Sequence, residues 1–224
     1  VYNERASVRT LLAALKSATH LTHARDPETG NHLERMSRYS RLIAQAMAAQ
    51  KNLDDNFVEH VYLFAPLHDL GKITIPDYVL LKPGQLDPHE LTIMRRHARA
   101  GLELVDQMLG NFGLAAVSQV QMLRNIIHYH HELVDGSGYP DGLAGEQIPL
   151  ESRIVTVADV FDALTSVRPY KRAWSFDDAV AHLREQSGKH FDPALVELFI
   201  GLMPEVRAVA DRFGEPHKAA LGEA

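Results

Sequence analysis

Leu67-His68-Asp69-Leu70-Gly71-Lys72 closes an apolar run with an imidazole and a carboxylate side by side, then adds a glycine and a lysine. Nitrogen and oxygen donors next to a flexible turn and a cation are the elements of a metal site beside a phosphate. A single His-Asp pair cannot complete a coordination shell. The fold must therefore bring further imidazoles and carboxylates to it from elsewhere in the chain.

The patterning around the pair is helical almost throughout: apolar residues recur at three- and four-residue spacing, and few segments alternate with period two. Upstream, Arg25-Asp26-Pro27-Glu28-Thr29-Gly30-Asn31-His32 reads as a turn opening a helix to about Gln50, with His32, Met36, Tyr39, Ile43 and Met47 on one stripe. The run carrying the pair is expected to be one helix from Asp54 to Leu70, with Phe57, Val61 and Phe64 leading to His68 and Gly71 as a left-handed end cap. Ile73 to Pro88 reads as a loop containing Ile75-Pro76-Asp77 and Lys82-Pro83-Gly84. Asp87-Pro88-His89-Glu90 then carries a capping box with proline at the first helical position. The helix it starts has Met94, His97, Gly101, Val105 and Met108 inward.

Downstream, a helix from about Leu114 to Glu132 takes Val120, Leu123 and Ile127 toward His130 and His131. Asp135 to Gly142 follows as a glycine- and proline-rich loop. Leu150 to Ser166 is an apolar helix interrupted by Asp159 and Asp162, and Ser175 to Ser187 and Asp192 to Leu202 are two more. Residues 4–24 form a first helix with Val8, Leu11, Leu12 and Leu15 as its stripe, expected to be a linker or dimerisation helix. The main domain is expected over 25–204, with a last helix and frayed tail over 205–224. The fold class is all-α, a single-domain helical bundle.

Composition removes several classes of function. A formal net charge of -6 disfavours binding to polymeric nucleic acid, which calls for a basic face, but leaves room for a small phosphorylated ligand. No apolar run approaches a membrane span and the first residues show no signal-peptide pattern. With no cysteine, any metal must be held by nitrogen and oxygen. The chain starts within a helical pattern, which fits a piece of a larger protein.

Thirteen histidines are present, and those at His32, His68, His97, His130 and His131 share apolar faces or helix ends with acids. One inward histidine is ordinarily a satisfied core residue. Five of them need partners, because burying unpaired polar groups costs several kcal/mol each, and metal ions would partner all of them, as in other helical bundles. The donor set suits iron or manganese, with nickel, cobalt and zinc also compatible.

His68-Asp69 with Gly71-Lys72, His130-His131-Glu132, Gly138-Tyr139-Pro140, Ile75-Pro76-Asp77, Lys82-Pro83-Gly84 and Arg168-Pro169-Tyr170-Lys171 occur here in an order that resembles the HD-GYP family. This is the cyclic di-GMP phosphodiesterase branch of the HD phosphohydrolases. The resemblance runs from about Arg25 to Asp192 and implies a bundle of HD-domain type with its metal site in the core. It also implies metal ligation by Glu28, His32, His68, Asp69, His97, His130, His131 and Asp159, with two or three divalent ions and Asp69 as the bridge. Lys72, Arg168 and Lys171 look like phosphate contacts, and Tyr139 lies in the loop lining the substrate pocket. Asp162 or Asp26 would orient water or protonate the leaving oxygen, and Glu132 would fix a ligand histidine.

His20, His23, His60, His89, His128, His182, His190 and His217 match no ligand position. Leu133 and Val134 depart from the arginine and aromatic common in the family. The implied reaction is hydrolysis of cyclic di-GMP to pGpG, with a further cut to GMP left open. The alternative is a non-hydrolysing receptor, or a scaffold for diguanylate cyclase partners. A hydrolase of another nucleotide and an oxygen-handling di-iron bundle rank below both.

Overall fold

The computed structural model describes residues 13–15, 17–19, 30–113, 120–167 and 172–214. Asp26, Glu28, Arg168, Lys171 and most of the expected first helix lie outside the described residues. Among the described residues there are helices and no strands. In chain order the helices are α1 (Gly30–Lys51), α2 (Asp55–Phe64), the short α3 (Asp77–Leu80), α4 (Pro88–Asn111), α5 (Val120–Tyr129), α6 (Leu150–Thr165), α7 (Phe176–Glu185), α8 (Pro193–Gly201) and α9 (Met203–Phe213). None is long and apolar enough to cross a membrane.

Helix α1 is the spine, packed against α2, α6, α8 and α9. Its expected stripe is the buried one: His32, Met36, Tyr39, Ile43 and Met47 are all withdrawn from solvent. Below the site Tyr39 meets Phe161 and Phe199 edge to face at 5.8 and 6.1 Å, fastening α1 to α6 and α8. At the start of α4 the capping box is formed as the sequence indicated: Asp87 accepts from the His89 and Glu90 amides, and Glu90 accepts from the Asp87 amide.

The stretch carrying the His-Asp pair differs from expectation. The α-helix stops at Phe64 and the chain continues as two 3-10 turns, Ala65–Leu67 and Leu70–Thr74, with His68 and Asp69 between them. Pro66 is the reason, since it has no N–H to give the Tyr62 carbonyl. Ser37 on α1 supplies a donor instead, its hydroxyl lying 2.8 Å from that carbonyl. The break turns His68 and Asp69 toward one centre.

Gly71 is not a left-handed cap either; it is not among the positive-φ glycines. A Cβ there would lie 1.9 Å from the His97 carbonyl oxygen and 2.6 Å from the Gly101 nitrogen. Glycine is required at this position because the backbone of the pair rests directly on the backbone of α4. The Ile73 to Pro88 loop also contains α3, whose Val79 joins Ile75 and Ile93 in a small separate core. Finally, α5 ends at Tyr129, so His130 and His131 sit on the turn after the helix.

Candidate metal centre

Five imidazoles and two carboxylates converge from five parts of the chain. Asp69, His97, His130 and His131 each offer a ligand atom within 4.8 Å of one another, and so do His32, His68 and Asp159. The two groups adjoin through His68, whose Nε2 is 3.1 Å from Asp69 Oδ2 and 3.8 Å from Asp159 Oδ1. Asp69 Oδ1 faces the opposite way, 3.3 Å from His97 Nε2 and 3.7 Å from His130 Nε2.

The inner rings are fixed by their own main chain. His68 Nδ1 lies 2.9 Å from the Ala65 carbonyl, His97 Nδ1 2.8 Å from that of Met94, and His130 Nδ1 3.1 Å from those of Ile126 and Ile127. A carbonyl can only accept, so each Nδ1 carries the hydrogen, and in a neutral ring Nε2 is left as a lone pair. Burial, opposed by Asp69, pushes His97 down to about 4, so its ring is neutral at pH 7. Its Nε2 lone pair therefore confronts Asp69 Oδ1 and, at 3.3 Å, His130 Nε2. Lone pairs facing one another with no hydrogen between them repel unless a cation lies among them.

The neighbouring groups agree. Burial works against the charge on His68, yet the Asp69 carboxylate and then Asp159 lift it to about 9. The two carboxylates therefore favour positive charge at this position. Burial also opposes ionisation of Asp69, but Lys72 and His68 hold its carboxyl well below the usual range. His131 is held well below the ordinary histidine value by burial and then by His130 and His97. His68 Nε2 and Asp69 Oδ1 are fully buried with no hydrogen-bond partner of good geometry. Orphaned, inward-facing atoms of this kind fit bound metal, which would complete their coordination.

Tyr139 and Lys72 border the centre. Lys72 Nζ is 2.9 Å from Asp69 Oδ2. Tyr139 stacks on His131 with ring centroids 4.7 Å apart, its amide donating to the His131 carbonyl. Gly138 permits this approach, since a Cβ there would stand 2.3 Å from the Leu133 nitrogen and 2.6 Å from Glu132 Cα. The Tyr139–Pro140 peptide bond is cis.

Two expected roles change. Asp162 has no exposed surface and is saturated: it accepts from His32 Nδ1 at 2.7 Å, from Arg35 Nε and Nη2 at 2.6 and 2.9 Å, and from the Ser166 hydroxyl at 3.0 Å. Burial would raise its pKa, but the bonds from His32 and Arg35 lower it below the carboxylate norm. Asp162 thus orients His32 and cannot reach a water or leaving group. Glu132 does not touch a ligand histidine. Its carboxylate accepts from the amides of Asp141, Gly142 and Leu143 at 2.7, 3.1 and 2.9 Å, pinning the loop after Pro140.

Arg35 and Arg95 were not singled out from sequence. Arg35 falls one turn after His32 beside the apolar stripe, and a charge in that position was the available signal. Arg95 lies 5.0 Å over the Tyr139 ring, a contact made only because the loop folds back over α4. Among the described histidines, His60, His89, His128, His182 and His190 fall outside both ligand groups.

An all-helical bundle with this buried histidine and aspartate centre has the architecture of a metal-dependent phosphohydrolase domain. The HD domain family model matches residues 25–195, and the chain belongs to that family. It is 47% identical over 189 residues to the cyclic di-GMP phosphodiesterase response regulator RpfG of Xanthomonas campestris, covering 84% of this chain and 47% of that protein. It is 43% identical over 207 residues to a cyclic di-GMP phosphodiesterase of Vibrio cholerae, covering 89% and 41%. The chain thus spans about half the length of the curated relatives it matches. The fold is also that of the V. cholerae cyclic GMP-AMP specific phosphodiesterase V-cGAP3, with a TM-score of 0.60 at 22% identity over 92% of this chain and 50% of that one.

Proposed function

We propose that this domain is a metal-dependent phosphodiesterase that opens cyclic di-GMP to linear pGpG. One observation carries the reading: buried imidazole and carboxylate lone pairs are aimed at a common centre, with a lysine on its edge. Divalent ions held there, two or three of iron or manganese (nickel, cobalt and zinc also fit), supply water activation at neutral pH and a charge clamp for phosphoryl oxygens. Asp69 would hold metal through both of its oxygens, which face different imidazoles. Lys72 is placed to offset charge on a phosphate oxygen, and Tyr139 forms one wall of the substrate pocket.

From the motif positions, Glu28 joins the ligands, Arg168 and Lys171 contact phosphate, and Asp26 serves the leaving ribose oxygen now that Asp162 is committed to His32. The same proposal covers the division at residues 25–204, a cytoplasmic location, dimerisation through the preceding helix, and docking of diguanylate cyclase partners at the Gly-Tyr-Pro loop. Cyclic GMP-AMP is the second substrate to weigh, because a Vibrio cholerae relative 38% identical over 186 residues is named a 3'3'-cGAMP-specific phosphodiesterase.

The test is to purify the protein without oxygen, quantify its metals, and supply iron or manganese. Products are then followed from cyclic di-GMP, cyclic GMP-AMP and ordinary nucleotides. Cyclic di-GMP should be converted fastest. If the protein binds cyclic di-GMP and leaves it intact both with iron and with manganese, the enzyme reading fails and a receptor takes its place.

A further inference from the structure

His68, like His97 and His130, is steered by a nearby carbonyl, and His32, in the group with His68 and Asp159, is the exception. In the group of Asp69, His97, His130 and His131, the rings of His97 and His130 are steered by carbonyls three or four residues away. Those anchors form whenever α4 and α5 form. In the other group, His32 is steered by Asp162, which lies 130 residues away in sequence on α6. Asp162 is in turn held by the guanidinium of Arg35.

That guanidinium is used on every side. Nε donates to Asp162 Oδ1 at 2.6 Å, Nη2 to Asp162 Oδ2 at 2.9 Å and to the Ser166 hydroxyl at 2.7 Å, and Nη1 to the Phe213 carbonyl at the end of α9 at 2.9 Å. Arg35, His32 and Asp162 are all buried. A planar fork with fixed donor directions sets the angle of the carboxylate plane, and the carboxylate sets the rotation of the imidazole.

Resting on the reading of the two groups as metal sites, we propose that Arg35 is a positioning residue that governs metal occupancy of the His32, His68 and Asp159 group without governing the other. It touches neither substrate nor metal and acts through Asp162. The outer group is therefore the separately adjustable half of the centre, and its geometry depends on how α1, α6 and the end of α9 meet.

The experiment measures manganese stoichiometry and affinity on stripped protein by calorimetric titration and elemental analysis. It uses the wild type, Arg35→Met, the milder Arg35→Lys, and Arg153→Met as a control. Arg153 also makes a partly buried ion pair from α6, with Asp192, and neither residue is in a ligand group. Wild type should show two affinity classes. Arg35→Met should weaken one class by about 10- to 100-fold, the range for losing a partner that orients a ligand, and leave the other unchanged. Arg35→Lys, whose single ammonium cannot span all four acceptors, should fall between them. Arg153→Met should lower thermal stability and leave both classes intact.

Unchanged affinities in a folded Arg35→Lys would overturn the proposal, as would equal loss from both classes. Equal loss in Arg153→Met would reduce Arg35 to a general structural role. A wild type that takes up no manganese, iron or zinc would instead overturn the metal reading, and this proposal with it.

Discussion

Replacing Gly71 with alanine tests the contact on which the centre depends. The added Cβ would stand 1.9 Å from the His97 carbonyl oxygen, 2.6 Å from the Gly101 nitrogen and 2.9 Å from Gly101 Cα. Ordinary contact is near 3.4 Å, so the two backbones must part by about 1.5 Å. No side chain can swing aside, because all three of these atoms belong to the main chain of α4. Overpacking of well-filled sites costs about 1–3 kcal/mol where side chains can adjust, and this case should lie at or above the top of that range. The same movement carries His97 away from Asp69 Oδ1, now 3.3 Å distant, so metal content should fall with stability. Gly110→Ala, on the same helix with nothing within 4 Å of its Cβ, should instead leave stability unchanged or raise it by up to about 1 kcal/mol. Urea titration of metal-free protein and elemental analysis of loaded protein read both effects. If Gly71→Ala and Gly110→Ala have the same midpoint and metal content, direct backbone contact does not position the pair.

Three further outcomes follow from the geometry. Glu132→Gln replaces one of the oxygens that hold the Asp141, Gly142 and Leu143 amides with a donor; hydrogen exchange at those amides should accelerate while α1 and α6 keep their protection, and unchanged exchange would remove Glu132 from its role as loop anchor. Ser37→Ala takes the donor from the Tyr62 carbonyl and should cost about 1–3 kcal/mol by urea denaturation, whereas an unaltered midpoint would mean that the carbonyl is satisfied without it. Stability of the metal-free protein should peak near pH 6.5. Burial lowers His97 to about 4 and depresses His131, so the unfolded chain binds more protons below 6.5 and acid destabilises. His68, raised to about 9, contributes stability that is complete below 6.5 and lost as pH rises through 9. A tenfold difference in proton affinity between folded and unfolded chain corresponds to about 1.4 kcal/mol. Melting curves of chelator-treated protein between pH 5 and 9 should show the maximum, and a monotonic rise across that range would contradict the assignment.

The sequence by itself determined the helical class, the inward stripe of α1, the capping box at Asp87 and the recurrence of histidine at inward positions. These are local properties, set by periodicity, by cap chemistry and by the oddity of histidine on an apolar face. The tertiary structure decided what the neighbours of those groups are for. Pro66 was visible, but that its break would be repaired by Ser37 and would rotate His68-Asp69 into the centre depends on where α1 lies. Gly71 looked like a cap because helices commonly end in glycine; that it is instead a contact point for His97 and Gly101 is fixed by packing across the bundle. Asp162 looked like a group that handles water or the leaving oxygen, and Glu132 like one that fixes a ligand histidine, because both are acids near ligands. Their partners, Arg35 and the amides after Pro140, became visible only once residues far apart in sequence were brought within hydrogen-bonding distance.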